Sequence, residues 1–132
     1  MKIDPDYLKK ILLTFEASPT PIADILFLRE NGLNYEDDAF VFHMGILVDL
    51  GLVERDDGDR GFGMFRGADG HIAWSRLPLR MRARGYEFLE DIRDPEIWQI
   101  TKERSKKVGQ ASLEFLWEIA KAEIKSKLGL VA

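Results

Sequence analysis

Residues 36–54 read EDDAFVFHMGILVDLGLVE, and this stretch decides the fold. Apolar residues recur at helical spacing up to Leu50, and the following Gly-Leu-Val-Glu predicts that the helix ends at Gly51 and that a strand comes next. Between Glu36 and Leu50 the predicted helix contains no arginine, lysine, asparagine or glutamine. All of its charges are acidic, at Glu36, Asp37, Asp38 and Asp49. The helix is therefore expected to present a negative surface.

Two further helices are predicted before this one. Each opens with a capping side chain followed by a proline, which costs nothing at the first helical position because the N–H it lacks would be unpaired there anyway. The first should span residues 5 to about 17. The second should span residues 21 to about 30, and it should bury Ile22, Ile25 and Leu26. The third helix is expected to begin at Asn34 or Tyr35, so that three acids lie in its first turn, where the helix dipole favours them.

After Gly51 the pattern changes to short strands and turns. Residues 52–55 can form a strand, and residues 56–71 contain five glycines and four aspartates, which predicts a hairpin with its tip at residues 68–70. Residues 72–81 are expected to be extended, with Pro78 marking either an edge strand or the end of a strand. Alternation puts Trp74 on the same side as the arginines. Either a bulge near Ser75 intervenes or Trp74 lies on the outer face, and the sequence leaves both open.

Three more helices complete the chain, at about residues 83–92, 95–108 and 112–128. The last carries one apolar stripe and a second beside it, so it needs cover from more than one side. The first stripe is Leu113, Leu116, Trp117, Ala120, Ile124 and Leu128. The second is Phe115, Ile119 and Ala122.

The order of these elements resembles a winged helix. The phrase HMGILVDLGLV, residues 43–53, is similar to the "HLxxLxxxGLV" exit from the recognition helix of many such proteins. The resemblance implies an α+β, mostly helical, winged helix-turn-helix-like domain with a glycine-rich β-hairpin wing and two additional carboxyl-terminal helices. We expect a single domain over 1–132, with a winged-helix-like core at 1–93 and a helical extension at 94–132 packed on the core or on a second subunit. A helix that reads DNA presents Arg, Lys, Asn or Gln to base edges, which the acidic third helix cannot do.

A second resemblance is more specific. The run RGYEFLEDIRD at residues 84–94, the Ile-Trp at 97–98 and the KLGL at 127–130 resemble a bacterial and phage family known as domain of unknown function 2513, over residues 4–130. That family usually has Leu-Thr where this chain has Met81-Arg82, so a capping hydroxyl is absent here. The family has no established activity. The resemblance therefore implies a fold and a prophage or mobile-element origin, and it assigns no functional residue.

Composition excludes several classes of function. The chain has no cysteine, which rules out disulfides, thiol catalysis and thiolate metal sites, and its two histidines are too few for a multi-histidine metal centre. No apolar run approaches the roughly 20 residues needed to span a bilayer. The glycine-rich residues 61–67 lack the Lys-Ser/Thr ending of a phosphate loop. We expect a cytoplasmic protein that is not an enzyme and binds no cofactor, metal or membrane.

Charge is unevenly distributed. The formal net charge is -4, with -6 in residues 1–54 and +3 in residues 55–84, where every basic residue is arginine. The arginine stretch is the basis of a nucleic-acid alternative, in which wing residues contact a minor groove, a backbone or an exposed base. Its candidate residues are Arg60, Arg66, Trp74, Arg76 and Arg80. The competing interpretation, which we favour, pairs these arginines with neighbouring aspartates or with the acidic amino-terminal half.

The third helix supplies the candidate interaction residues. A helical wheel predicts Val41, Met44 and Val48 as its buried centre. The opposite face carries Asp38, Phe42, Gly45, Ile46 and Asp49. This face could bind a partner through Phe42 and Ile46. Alternatively, another part of the chain, with the last helix as the first candidate, covers the face, and we favour this second interpretation. Phe115 and Ile119 complete the set.

The third helix also carries one of the two histidines, His43. His43 is expected to be a hydrogen-bonded, semi-buried side chain rather than a ligand or base.

The function predicted is a non-enzymatic protein-interaction or self-association module, with a homodimer expected. The alternative is a DNA-binding transcriptional regulator that uses the arginine-rich wing.

Overall fold

Helices and short antiparallel strands make up residues 1–129, the part of the chain that the computed structural model describes. The architecture is α+β and mostly helical, as predicted. In chain order the elements are α1 (Pro5–Glu16), β1 (Ile22–Ala23), α2 (Ile25–Glu30), α3 (Asp38–Asp49), β2 (Val53–Arg55), β3 (Met64–Arg66), β4 (Ile72–Trp74), β5 (Leu79–Met81), α4 (Ala83–Asp91), α5 (Pro95–Val108) and α6 (Leu113–Lys127).

Two small antiparallel sheets join distant parts of the chain. The first has the order β1-β5-β2, and the second is the β3–β4 hairpin. In the first sheet Val53 pairs with Met81, and Ile22 pairs with Arg80. Alternation along β5 buries Leu79 and Met81 in the core and leaves Arg80 exposed. The predicted strand at residues 52–55 and the predicted hairpin are both present, and Gly70 N donates to Gly67 O at the hairpin tip.

The predicted extended segment 72–81 is not one strand. It is divided between β4 in the hairpin and β5 in the other sheet, with residues 75–78 between them. Pro78 directly precedes β5, so it marks the end of a strand, and β5 is the middle strand of its sheet. Neither explanation for Trp74 holds, because both assumed continuous alternation. Its ring is half-buried against Tyr35 and Phe62, with centroids 4.8 and 6.1 Å away.

The second helix begins later than predicted. Ile22 and Ala23, which follow Pro21, are a strand because they pair with β5, and Ile22 is 40% exposed rather than buried. The effective N-cap is Asp24, whose carboxylate accepts a hydrogen bond from Phe27 N at 2.9 Å. Ile25 is buried as expected, and Leu26 is half-buried. Strand pairing therefore overrides the proline signal.

The third helix also begins later than predicted, at Asp38. Asp37 N donates to Asn34 O, so residues 34–37 form a turn, and only one of the three acids lies in the first helical turn. The end of the helix is as predicted. Gly51 has φ of +77°, and Leu52 N donates to Leu47 O at 2.8 Å, which completes a Schellman-type stop.

The last two helices pack against α1 and α4 of the same chain. Trp98 Nε1 donates to Asp6 Oδ1 at 2.8 Å, and Trp117 Nε1 donates to Asp91 Oδ2 at 2.7 Å. Burial alone would raise the pKa of Asp6, but hydrogen bonds from Trp98 and Lys102 hold it below its usual value. Arg82 precedes α4 without a side-chain cap, which agrees with the missing hydroxyl. No helix in residues 1–129 has the length and apolar character needed to cross a bilayer.

Two helical glycines make a matched pair for testing this packing. A Cβ on Gly85 would lie 2.6 Å from Met81 Cγ and 2.7 Å from Leu52 O, whereas a Cβ on Gly45 would have no neighbour within 4 Å. Gly85→Ala should lower the free energy of unfolding by about 1–3 kcal/mol because of the steric conflict. Gly45→Ala should raise it by about 0.5–1 kcal/mol, as alanine is the better helix former. Urea unfolding measures both, and equal effects of the two substitutions would contradict the packing of α4 on β5.

The stability that the contacts of Asp6 with α5 give to the fold should depend on pH. Because the pKa of Asp6 is lowered in the folded protein, its carboxylate stabilises the fold above the unfolded pKa, and this contribution is lost as pH falls through the folded value. Asp6→Asn should therefore lower the midpoint of thermal unfolding at neutral pH, with the deficit shrinking below about pH 4. If the difference in unfolding midpoint between the two proteins stayed constant into acidic pH, the charge of Asp6 would contribute nothing to stability.

Candidate interaction surface

The buried side of α3 is rotated from the predicted one. Phe40, His43, Met44 and Leu47 are buried, while Val41 and Val48 are half-buried at the edge of the core. Of the predicted centre only Met44 is fully buried. The prediction relied on aliphatic residues, but Phe40 packs edge-on against Phe62 and the imidazole of His43 is accommodated by hydrogen bonds.

The α3 outer face, defined as Asp38, Phe42, Gly45, Ile46 and Asp49, lies opposite this buried stripe. Both of its carboxylates are exposed, and its other three residues are half-buried. Within residues 1–129 neither Asp38 nor Asp49 has a lysine or arginine nitrogen within 4.0 Å. The face therefore combines an apolar centre with uncompensated negative charge.

A buried histidine holds the start of the chain beside this face. His43 is 2% exposed, its Nε2 accepts a hydrogen bond from Asp4 N at 2.8 Å, and its Nδ1 lies 2.6 Å from Ala39 O. This pattern requires the neutral imidazole with its proton on Nδ1, so that Nδ1 donates to Ala39 O. Tyr7 stacks on the ring with centroids 4.6 Å apart. Burial, reinforced by the charge of Asp37, raises the pKa of Tyr7.

Residues 1–3 lie beside Phe42 as a result, and together they border a groove. The first part of the groove is a cavity of about 460 Å³ lined by Met1, Lys2, Ile3, Phe42, Gly109, Ala111 and Ser112. A second cavity of about 350 Å³ shares three of these residues, and its further lining is Pro5, Lys102, Ser105, Lys106 and Gln110. We call the two cavities together the Phe42 groove.

The neighbours of Phe42 differ from the expected ones. The predicted cover was the last helix, but the cavity that contains Phe42 is lined by residues 1–3 and by residues 109–112 between α5 and α6, of which Ser112 is the N-cap of α6. These segments cover Phe42 only in part. Its side chain is half-buried and borders a groove rather than a packed helix.

Phe115 and Ile119 are not among the residues that line this groove. Both are half-buried and lie on the side of α6 away from its buried stripe of Leu113, Leu116, Trp117 and Ala120. Phe115 is connected to the groove through one neighbouring residue: Ser112 accepts a hydrogen bond from Phe115 N and also lines the groove.

Two of the four arginines proposed to contact nucleic acid are engaged within the chain. Arg76 Nη2 lies 3.0 Å from Asp24 Oδ2, and Arg80 Nε donates to Glu54 Oε1 at 2.9 Å, so both pair with the acidic amino-terminal half. Trp74 packs inward and cannot stack on a base in this conformation. The pairing interpretation therefore holds for these two arginines.

Arg60 and Arg66 are the exceptions. Both are exposed, and within residues 1–129 no carboxylate lies within 4.0 Å of either guanidinium. Phe65 and Ile72 on the same hairpin are 48% and 46% exposed. The hairpin thus presents Arg66 beside two exposed apolar side chains, and Arg60 lies in the loop that leads into β3.

Sequence reasoning missed the residues that complete the groove. Lys2, Lys106, Gly109 and Ala111 come from segments about a hundred residues apart along the chain, and neither segment carries a recognisable motif. The only signal was His43 itself, a polar residue next to an apolar stripe. Its partner, the backbone N–H of Asp4, cannot be identified from residue types.

Residues 2–111 match a family model described as "Hypothetical protein (DUF2513)". The chain belongs to the DUF2513 family. The matched residues include the whole α3 outer face and most of the groove, and they end before α6, whereas the resemblance seen in the sequence extended to residue 130; Leu130 lies outside the described residues. No curated protein and no solved structure matches this DUF2513 chain.

The histidine anchor can be tested with a matched pair of substitutions. His43→Phe keeps the ring but leaves the N–H of Asp4 without its acceptor, so it should lower the free energy of unfolding by about 1–3 kcal/mol. His71→Phe serves as the control, because the side chain of His71 is 89% exposed and pairs only with Asp69. Amide exchange should also become faster at Asp4 in the first variant alone. Unchanged protection of that amide would contradict the anchor.

Proposed function

We propose that residues 1–93 form a winged helix, extended by α5 and α6. The order of elements supports this. β1 lies between α1 and α2, β5 pairs with both β1 and β2, and the β3–β4 hairpin is inserted between β2 and β5 where a wing belongs. In this arrangement α3 occupies the position of the helix that reads DNA in other winged helices.

The function proposed for this DUF2513 protein is non-enzymatic self-association through the α3 outer face. One observation carries it: Asp38 and Asp49 are exposed and uncompensated on either side of Phe42 and Ile46. Phosphates placed against this face would meet like charge, while a protein partner can cover the apolar centre and compensate the acids. Phe42 and Ile46 act as anchors, and the acids form the rim.

A non-enzymatic, cytoplasmic role is part of the same proposal. Its support is that both imidazoles have structural partners, His43 with Asp4 and Ala39, and His71 with Asp69. The absence of cysteine suits a reducing compartment. A prophage origin rests on the sequence resemblance alone.

DNA binding through the β3–β4 hairpin is the second candidate function. Arg60 and Arg66 favour it, because they are exposed and have no carboxylate within 4.0 Å in the described part of the chain. Against it stand Asp56, Asp57, Asp59 and Asp69 in the same segment, which lower the local positive potential. Two unpaired arginines give a weak electrostatic footprint for a duplex.

Light scattering of the purified protein over a concentration series, with and without a random-sequence duplex at low salt, separates the two functions. We expect the mass to rise from monomer to dimer with concentration and to be unaffected by the duplex. Phe42→Ser should weaken the dimer, because it removes the central anchor.

The opposite result would be a monomer at every concentration that forms a salt-sensitive complex with the duplex. If Arg60→Ala and Arg66→Ala together abolished that complex, the regulator would replace the self-association module as the function.

A further inference from the structure

The lysines along the Phe42 groove complement the acids of α3. Lys2 borders the part of the groove that contains Phe42, and Lys106 borders the adjoining part. Within residues 1–129 no carboxylate oxygen lies within 4.0 Å of either ammonium group, whereas Lys102 in the same groove is paired with Asp6. Both lysines are exposed. The groove that Phe42 borders therefore carries two available cations, Lys2 beside Phe42 and Lys106 in the adjoining part.

The available anions lie on α3 itself, before and after Phe42 along the helix. Asp38 lies one helical turn before Phe42 on the α3 outer face, and Asp49 lies about two turns after it. Arginines and lysines are used differently: eight of the ten arginines have a carboxylate within 4.0 Å in the described part of the chain, whereas among the nine lysines Lys102 and Lys127 do. What distinguishes Lys2 and Lys106 from the other lysines without a carboxylate partner in residues 1–129 is therefore their position on the Phe42 groove.

A surface that combines acids on one helix with lysines on the neighbouring segments, around a shared apolar centre, can be complementary to itself. In a two-fold dimer the same patch is used by both subunits, so a residue of the acidic half faces the lysine half of the partner, and the reverse pair forms by symmetry. A partner of uniform charge would satisfy only one half and repel the other. A second copy satisfies both.

We propose that the self-association of this protein is an isologous dimer in which the α3 outer face of each subunit docks on the lysine side of the Phe42 groove of the other. This inference rests on the proposed function and adds the geometry of the contact. Phe42 and Ile46 supply the buried centre, and Asp38 and Asp49 pair across the interface with Lys2 and Lys106. The ion pairs set the register and speed the encounter, while the apolar centre provides most of the affinity.

Charge reversal tests this geometry. The acid-reversed variant carries Asp38→Lys and Asp49→Lys, and the lysine-reversed variant carries Lys2→Glu and Lys106→Glu. Each variant alone should dimerise at least about tenfold more weakly than the original protein, because both symmetric sets of pairs become repulsive. An equimolar mixture of the two should form a heterodimer of near-original affinity, because every pair across the interface is then opposite in charge. Sedimentation velocity measures all three states.

A control variant separates the surface from net charge. Glu87→Lys with Glu118→Lys changes the net charge by the same amount as the acid-reversed variant, at exposed positions of α4 and α6 outside the groove. It should dimerise like the original protein. Circular dichroism and thermal unfolding establish that each variant is folded before its mass is measured.

The outcomes distinguish failure of the inference from failure of the function. If the original protein is monomeric at all concentrations, both the proposed self-association and the proposed dimer geometry are wrong. If it dimerises but the reversed variants behave like the control, the function stands and the geometry is wrong. If both reversed variants are monomeric and their mixture is monomeric too, the isologous pairing is overturned.

Discussion

The hydrogen bond from Asp4 N to His43 Nε2 is the contact on which the candidate surface depends. It joins the first turn of α1 to the buried side of α3, and it fixes residues 1–3 beside Phe42. A neutral imidazole can make this contact because its other nitrogen donates to Ala39 O in the same helix. Without the bond, residues 1–3 would lose their hydrogen-bonded link to α3 and would be held there by packing alone.

A second set of contacts fixes the opposite wall. Asp6, two residues after Asp4, accepts from Trp98 and Lys102 of α5, so the same turn of α1 holds α5 in place. The α5–α6 loop follows from that position and brings Gly109 and Ala111 to the groove. One helical turn therefore organises both sides of the surface, which is why segments about a hundred residues apart in sequence meet there.

Helical periodicity and capping chemistry predicted most of the fold. The bounds of α5 and the glycine stop of α3 follow from local signals, a capped proline at one end and a left-handed glycine at the other. The errors occur where tertiary pairing competes with such signals. Pro21 looked like a helix start, but Ile22 and Ala23 are recruited by β5, a strand more than fifty residues later. No local pattern contains that information.

The candidate site was predictable in part. The acidic α3 face was identified from the sequence because every member lies on one helix, and the pairing of Arg76 and Arg80 followed from the charge asymmetry of the chain. The lysine side of the groove was not predictable. The His43 and Asp6 contacts help to bring the segments of Lys2 and Lys106 to the groove, and neither contact can be recognised from the spacing or composition of the sequence.

The central claim is that the α3 outer face meets protein and not DNA. Backbone amide NMR spectra recorded on dilution, and then with a duplex added at low salt, test this directly. The account predicts concentration-dependent shifts at residues 38–49, at Lys2 and at residues 106–111, with no response of this set to the duplex. Spectra that do not change on dilution, together with duplex-induced shifts around Arg60 and Arg66, would contradict it.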